Sequence, residues 1–224
     1  NLSKYIRFQM GALSAFIISY LGASIFGILG GVPFAPLVVL YINFLVQVPI
    51  AIALGFDKPM PGLMDRKPRP LSQPVLSRSQ WIRLAFTGFL IAVGTLVVEQ
   101  RFEGVDMALA ATMGFVVFSL FNIALGLSAR SETGTVFVRE TVSDRRQLQL
   151  YGLALLLTLL GTELGVLQRI LGTVSLSLEQ WLLCLGVAFA LLLIDEVIKF
   201  FMRRRRSQPP ASVAEPVAGQ LAAS

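Results

Sequence analysis

Residues 36–70 read PLVVLYINFLVQVPIAIALGFDKPMPGLMDRKPRP, and this stretch decides the fold. Its first half is an apolar run long enough to cross a hydrocarbon core of about 30 Å as a helix. Its second half is a proline-rich loop carrying Lys58, Arg66, Lys67 and Arg69. Two amides, Asn43 and Gln47, stand four residues apart inside the apolar run, which places them on one helix face. Pro49 follows; without an N–H, and with its ring against the carbonyl four residues back, it is expected to break the helix. Polar side chains beside a broken helix are how membrane transporters build substrate sites. Amides equally bond neighbouring helices together, and a proline equally makes a plain kink. The residues alone leave these readings side by side.

Working outward, the same apolar pattern recurs along the chain. Hydrophobic residues make up 55% of the 224 positions and charged ones 14%, against about a quarter charged in soluble domains. The fold class is therefore all-α, a polytopic membrane bundle. Six spans are expected, at 8–29, 36–56, 81–98, 107–127, 148–167 and 182–201. Gly30, Gly31 and Pro33 mark a tight turn between the first two. A basic loop at 57–80, a short acidic loop at 99–106 and a polar loop at 129–147 separate later spans. Domain organisation reads as a membrane module at 1–206 and a disordered tail at 207–224, which is rich in Pro, Ala, Ser and Gln. The first residue is Asn1, and no signal peptide is seen, so the start reads as a cut through a longer protein.

The charge pattern orients the bundle. Of 19 basic residues, all but Arg101 and Arg169 fall at the N-terminus or in the turns after spans two, four and six. The positive-inside rule then puts both termini in the cytoplasm. The net charge of +6 is explained by these loops, and Arg203–Arg206 reads as a stop signal against anionic lipid, ahead of any nucleic-acid contact.

Soluble catalytic constellations are missing. With no histidine there is no Ser-His-Asp or Cys-His arrangement, and there is neither a phosphate loop with lysine nor an HExxH motif. The fragment alone is not expected to be an enzyme. The one cysteine, Cys184, lies in an apolar run and reads as a small buried hydrophobe. What remains is intramembrane polarity. Glu163 lies roughly 22 Å along its helix from Leu148 at about 1.5 Å per residue, which favours the outer interface over a transport role. Asp195 and Glu196 lie near the end of the sixth span, where Glu196 and Lys199 are spaced to pair. Ser119 and Asn122 are three apart, a spacing that can turn both to the bundle centre, with helix–helix hydrogen bonding as the favoured reading. Ser14, Tyr20 and Ser24 are scattered polars, and Gly22, Gly27, Gly30 and Gly31 suggest close helix packing.

A family resemblance rests on the loop. The run AIALGFDKP at 51–59, followed by GLMDRKPRP at 62–70, closely resembles the end of the sixth membrane helix and the following loop of type II P-type cation-transporting ATPases, the calcium-pump-like enzymes. NLSKYIRF at 1–8 resembles the start of that family's fifth helix. IDEVIKFF at 194–201 resembles the end of its tenth, and NIALGLS at 122–128, more weakly, the end of its eighth. The resemblance implies a C-terminal membrane module of helices five to ten. It implies that phosphorylation, actuator and nucleotide domains, and membrane helices one to four, lie upstream as partners, along with the bilayer and a transported cation. It likewise implies ATP and Mg²⁺ as cofactors of those missing domains, none in this chain, and a parent ATP hydrolase. The expected setting is a bacterial plasma membrane.

Departures qualify the resemblance. Calcium pumps place Asn and Glu on helix five, Asn, Thr and Asp on helix six, and Glu on helix eight. The matching positions here are Leu13 and Phe16, then Asn43, Val46 and Gln47, then Ser119. Hard cations need several charged oxygen ligands, so a calcium specificity does not carry over. The expectation is a transport module whose ion pathway runs past Asn43, Gln47, Ser119 and Asn122, with the helix break at Pro49 and no bound metal. The alternative is a degenerate, non-transporting structural or regulatory module.

Overall fold

The structure is a computed structural model that describes residues 1–57, 76–130 and 144–206, with backbone alone at 199 and 201–206. Every regular element among these residues is helical: α1 (Leu2–Phe26), a 3₁₀ turn (Ile28–Gly31), α2 (Pro36–Tyr41), a π-helical turn (Ile42–Val46), α3 (Gln47–Gly55), α4 (Arg78–Glu103), α5 (Met107–Ala129), α6 (Arg145–Glu163), α7 (Gly165–Leu171) and α8 (Leu178–Arg206). Most of the basic and polar loops, the tail, and the Glu196–Lys199 pairing expected from spacing lie outside the described residues or side chains.

Local sequence starts these helices. Ser77 and Gln80 form a reciprocal cap, the Gln80 N–H donating to Ser77 Oγ (3.3 Å) and the Ser77 N–H to Gln80 Oε1 (2.8 Å). Ser177 and Gln180 repeat it at the start of α8. Asp106 and Asp144 cap α5 and α6 by accepting from Leu109 N and Arg146 N.

Among the described residues, five helical segments are long and apolar enough to span a membrane: α1, the combined α2–α3 segment Pro36–Gly55, α4, α5 and Leu178–Ile198 of α8. The fifth expected span, 148–167, falls on a bent pair, α6 and α7, which turns by 80° at Leu164 and, counted as one broken span, makes a sixth. Gly161, Gly165 and Gly172 flank or punctuate the break, and Thr173 Oγ1 donates to Gly161 O (2.6 Å), folding the chain back on itself.

The short acidic loop expected at 99–106 is corrected. Helix α4 runs on to Glu103, so only Gly104–Asp106 connects it to α5, and Glu99 lies inside the helix with no exposed surface. Nothing between Val98 and Gly104 breaks a helix, which is the signal the segmentation missed.

Helix α5 is the hub, packed by α1, α3, α4, α6 and α8. Helices α1 and α4 lie side by side at a constant offset. A Cβ on Gly88 would meet Ser14 Cβ at 2.7 Å and the Ala15 amide at 2.8 Å, one on Gly22 would meet Leu96, and the Leu29 N–H donates to Glu103 Oε1 (2.9 Å). The two helices are therefore parallel and nearly in backbone contact. Of the glycines expected to pack helices, Gly22 does so. Gly27 and Gly30 have open space around them and instead supply the left-handed turn after α1. Leu29 shares that left-handed conformation (φ 49°), and the Glu103 carboxylate holds its amide there.

Candidate functional site

The polar groups meet where α3 crosses α5. Gln47, buried, donates from Nε2 to Asn122 Oδ1 at 3.0 Å, and Asn122 donates from Nδ2 to the Phe118 carbonyl at 2.8 Å. Ser119 is fully buried one turn away on α5, its Oγ without a hydrogen-bond partner. Asn43 behaves differently. It is half-buried and donates back to Val39 O of its own helix at 2.9 Å.

The reason lies in the π turn at Ile42–Val46, in which the Gln47 N–H reaches Ile42 O, five residues back. In such a turn the four-residue spacing of Asn43 and Gln47 no longer closes one helical turn. The break expected at Pro49 thus appears upstream of it. Pro49 itself is buried in α3, cannot donate to Leu45 O, and the widened turn precedes it.

Beside this polar pair the bundle is aromatic. Phe16 of α1 packs on Phe118 with centroids 4.3 Å apart, Phe34 on Phe118 at 4.9 Å, and Phe16 on Phe34 at 5.7 Å. Leu13 is 47% exposed on the outside of α1, in an apolar stripe with Ile17, Leu21 and Ile25. The two helix-five positions singled out above therefore diverge: one plugs the interior with a ring and the other faces away from the bundle.

A second constellation closes the end of the bundle where α1 begins and α3 ends. The buried Asp57 carboxylate accepts from Lys4 Nζ (2.6 Å), from Arg130 Nε and Nη2 (3.3 and 3.1 Å) and from Gln147 Nε2 (2.7 Å). Asn1 Nδ2 adds bonds to the Gly55 and Asp57 carbonyls. Burial alone would raise the Asp57 pKa, but hydrogen bonds from Lys4, Gln147 and Arg130 outweigh it and hold the carboxyl below its ordinary range. Four helix ends, of α1, α3, α5 and α6, are tied through one side chain. Asp57 was legible only as part of the loop motif; Lys4 and Gln147 carried no sequence signal for this role.

The remaining candidates are placed as follows. Glu163 is exposed at the end of α6, where its Oε1 accepts from Leu176 N (3.3 Å), so it sits at the bend of the broken span. Asp195 accepts from Ser128 Oγ (2.5 Å) and lies 3.8 Å from Arg83 Nη2, joining α8 to α5 and α4. Cys184 is fully buried, its Sγ 3.9 Å from Met113 O. Among the described residues, no group of three or more His, Cys, Asp or Glu side chains converges to hold a metal ion.

Comparison with known proteins gives one consistent answer. Residues 31–201 match the family model described as cation transporting ATPase, C-terminus. The chain is 30% identical over 211 residues to calcium-transporting ATPase 1 of Schizosaccharomyces pombe, covering 92% of this chain and 23% of that protein. It is 28% identical to a calcium-transporting ATPase of Bacillus subtilis, over 84% of this chain and 21% of the relative. It is 26% identical to human calcium-transporting ATPase type 2C member 1, over 92% and 22%. The chain spans under a quarter of the length of these relatives.

Proposed function

Because this chain belongs to the family of cation-transporting ATPase C-termini, we propose that its bundle forms part of the ion pathway of an ATP-driven P-type pump. Residues 1–206 are the membrane module, and both termini lie on the cytoplasmic side. Phosphorylation, actuator and nucleotide domains, with ATP and Mg²⁺, belong to other parts of the parent protein, together with helices one to four. The exposed apolar stripe Leu13, Ile17, Leu21 and Ile25 on α1 suits those upstream helices or lipid. The bacterial plasma membrane is the proposed setting, supported by the Bacillus relative; fungal and mammalian relatives place the family more widely.

The observation that carries the reading is the buried Gln47–Asn122 pair at the π turn. It sets amide oxygens and the Ser119 hydroxyl at mid-bundle beside irregular backbone, the usual makings of an intramembrane site. Asn43 flanks it, and Pro49 maintains the irregularity. Neutral oxygens suit a monovalent cation better than a bare divalent one, whose desolvation they would leave uncompensated.

One observation favours the alternative, a non-transporting module: the Phe16–Phe34–Phe118 cluster fills space that charged ligands would need. ATPase stimulation by a panel of monovalent and divalent cations, measured on the full-length protein, separates the two. The transport reading expects stimulation by at least one cation and a shifted ion dependence in Gln47→Leu. Unchanged rate and ion dependence in Gln47→Leu and Asn122→Leu would remove the pair from the pathway.

A further inference from the structure

Glu99 lies inside α4, one turn before the helix ends at Glu103, and it has no exposed surface. Neither carboxyl oxygen has a hydrogen-bond partner. No Lys or Arg side chain forms an ion pair with it among the described residues. Its side chain is pressed against α5: a Cβ built on Gly114 would fall 2.0 Å from Oε1 and 2.6 Å from Cδ and Cγ. One turn back on the same helix face, Thr95 is fully buried with an unpartnered hydroxyl, and Ser19 of the adjoining α1 is in the same condition. Tyr20 on α1 and Glu103 on α4 are the titratable groups close enough for their charges to be felt, and neither supplies a positive charge.

An ionised carboxylate in these surroundings would be buried, unpaired and unsolvated, beside a second carboxylate. Two species can neutralise it, a metal cation or a proton. A metal cation needs several oxygen ligands around a space of its own. The backbone of Gly114 closes on the carboxyl. A proton needs no such space. We infer that Glu99 is a proton-binding site within the membrane, holding the neutral carboxylic acid between α1, α4 and α5. Glu103, half-buried one turn nearer the end of the helix, stands between this site and the surface. The stripe from Glu103 to Glu99 thus offers a proton a way in along one face of α4. The binding step is the addition of H⁺ to a carboxylate oxygen, and release returns it by the same stripe. This inference does not depend on the ion pathway proposed above.

Infrared spectroscopy of the full-length protein in lipid nanodiscs tests it, by following the C=O stretch of protonated carboxylic acids. The native protein should show such a band at neutral pH, shifted on transfer to D₂O. Glu99→Gln should abolish the Glu99 component, and Glu99→Asp should displace it. Absence of any protonated-carboxyl band in the native protein at neutral pH overturns the inference without recourse to a variant. So does a band that survives unchanged in Glu99→Gln or Glu99→Asp. If Glu99→Gln fails to fold, the displacement in Glu99→Asp still decides for the site.

Discussion

Two buried carboxyls, Asp57 and Glu99, carry opposite lessons. Their exposures are nearly the same, 6% and 0%. Asp57 sits where the bundle meets its polar end and gathers a lysine, an arginine and a glutamine. Glu99 sits in the last turn of α4, fully buried, and gathers none. Burial alone therefore does not fix the state of an acid. Asp57 is kept charged by donors brought from three other helices, and the charge in turn binds those helices together. Glu99 is pressed against Gly114 of α5 with no donor to hold a charge, and the same physical chemistry makes a proton its partner.

The largest expected effect tests the Asp57 side of this contrast. Asp57→Ala leaves the buried Lys4 and the partly buried Arg130 without their counter-charge and should destabilise the bundle by about 3–5 kcal/mol, the usual result of breaking a buried pair from one side. Thermal unfolding of the purified protein in detergent reads this, and a change below 1 kcal/mol would demote the node to a surface contact.

Next comes the close approach around Glu99. Gly114→Ala forces a methyl into the carboxyl and should cost about 1–3 kcal/mol by overpacking. Combining it with Glu99→Ala should recover part of that loss; strict additivity would show that the two do not touch. A comparable loss is expected for Gly88→Ala, where the added methyl meets the backbone of α1 as well as a side chain.

Acid separates the two carboxyls further. The folded-state pKa of Asp57 is lowered, so its stabilisation is fully present above the ordinary value of 3.8 and is lost as pH falls through the lowered folded value. The native protein should lose stability on acidification in that window, and Asp57→Asn should flatten this part of the profile. A profile identical in the two proteins would assign acid unfolding to other groups. The smallest effect is expected for Glu99→Gln. One neutral group replaces another of the same shape, so the melting temperature should stay near the native value; a large loss would indicate that Glu99 acts as an anion.

Much of the fold was legible in the residues. Apolar runs marked each candidate membrane span among the described residues, because in a bilayer the backbone must satisfy itself as helix wherever the side chains are apolar. Boundaries were less legible where polar residues continue a helix, as Glu99 to Glu103 do in α4. The break in the fifth span was hidden too, since Leu164 looks like its apolar neighbours and only the 80° bend distinguishes it. Of the candidate site, Gln47 and Asn122 do meet, while Asn43 turns back to its own helix through the π turn.

What the sequence determined by itself was the membrane class, the order and approximate extent of the helices, and the family resemblance. Composition, run length and local motifs are properties of the chain, and they need no partner to be read. Tertiary structure alone decided which polar groups have partners: Asp57 with Lys4, Arg130 and Gln147, Gln47 with Asn122, and Glu99 with none. These pairings join positions 53 to 90 residues apart. They exist only once the helices have packed, because the donors that would satisfy a buried oxygen arrive on other elements or do not arrive at all.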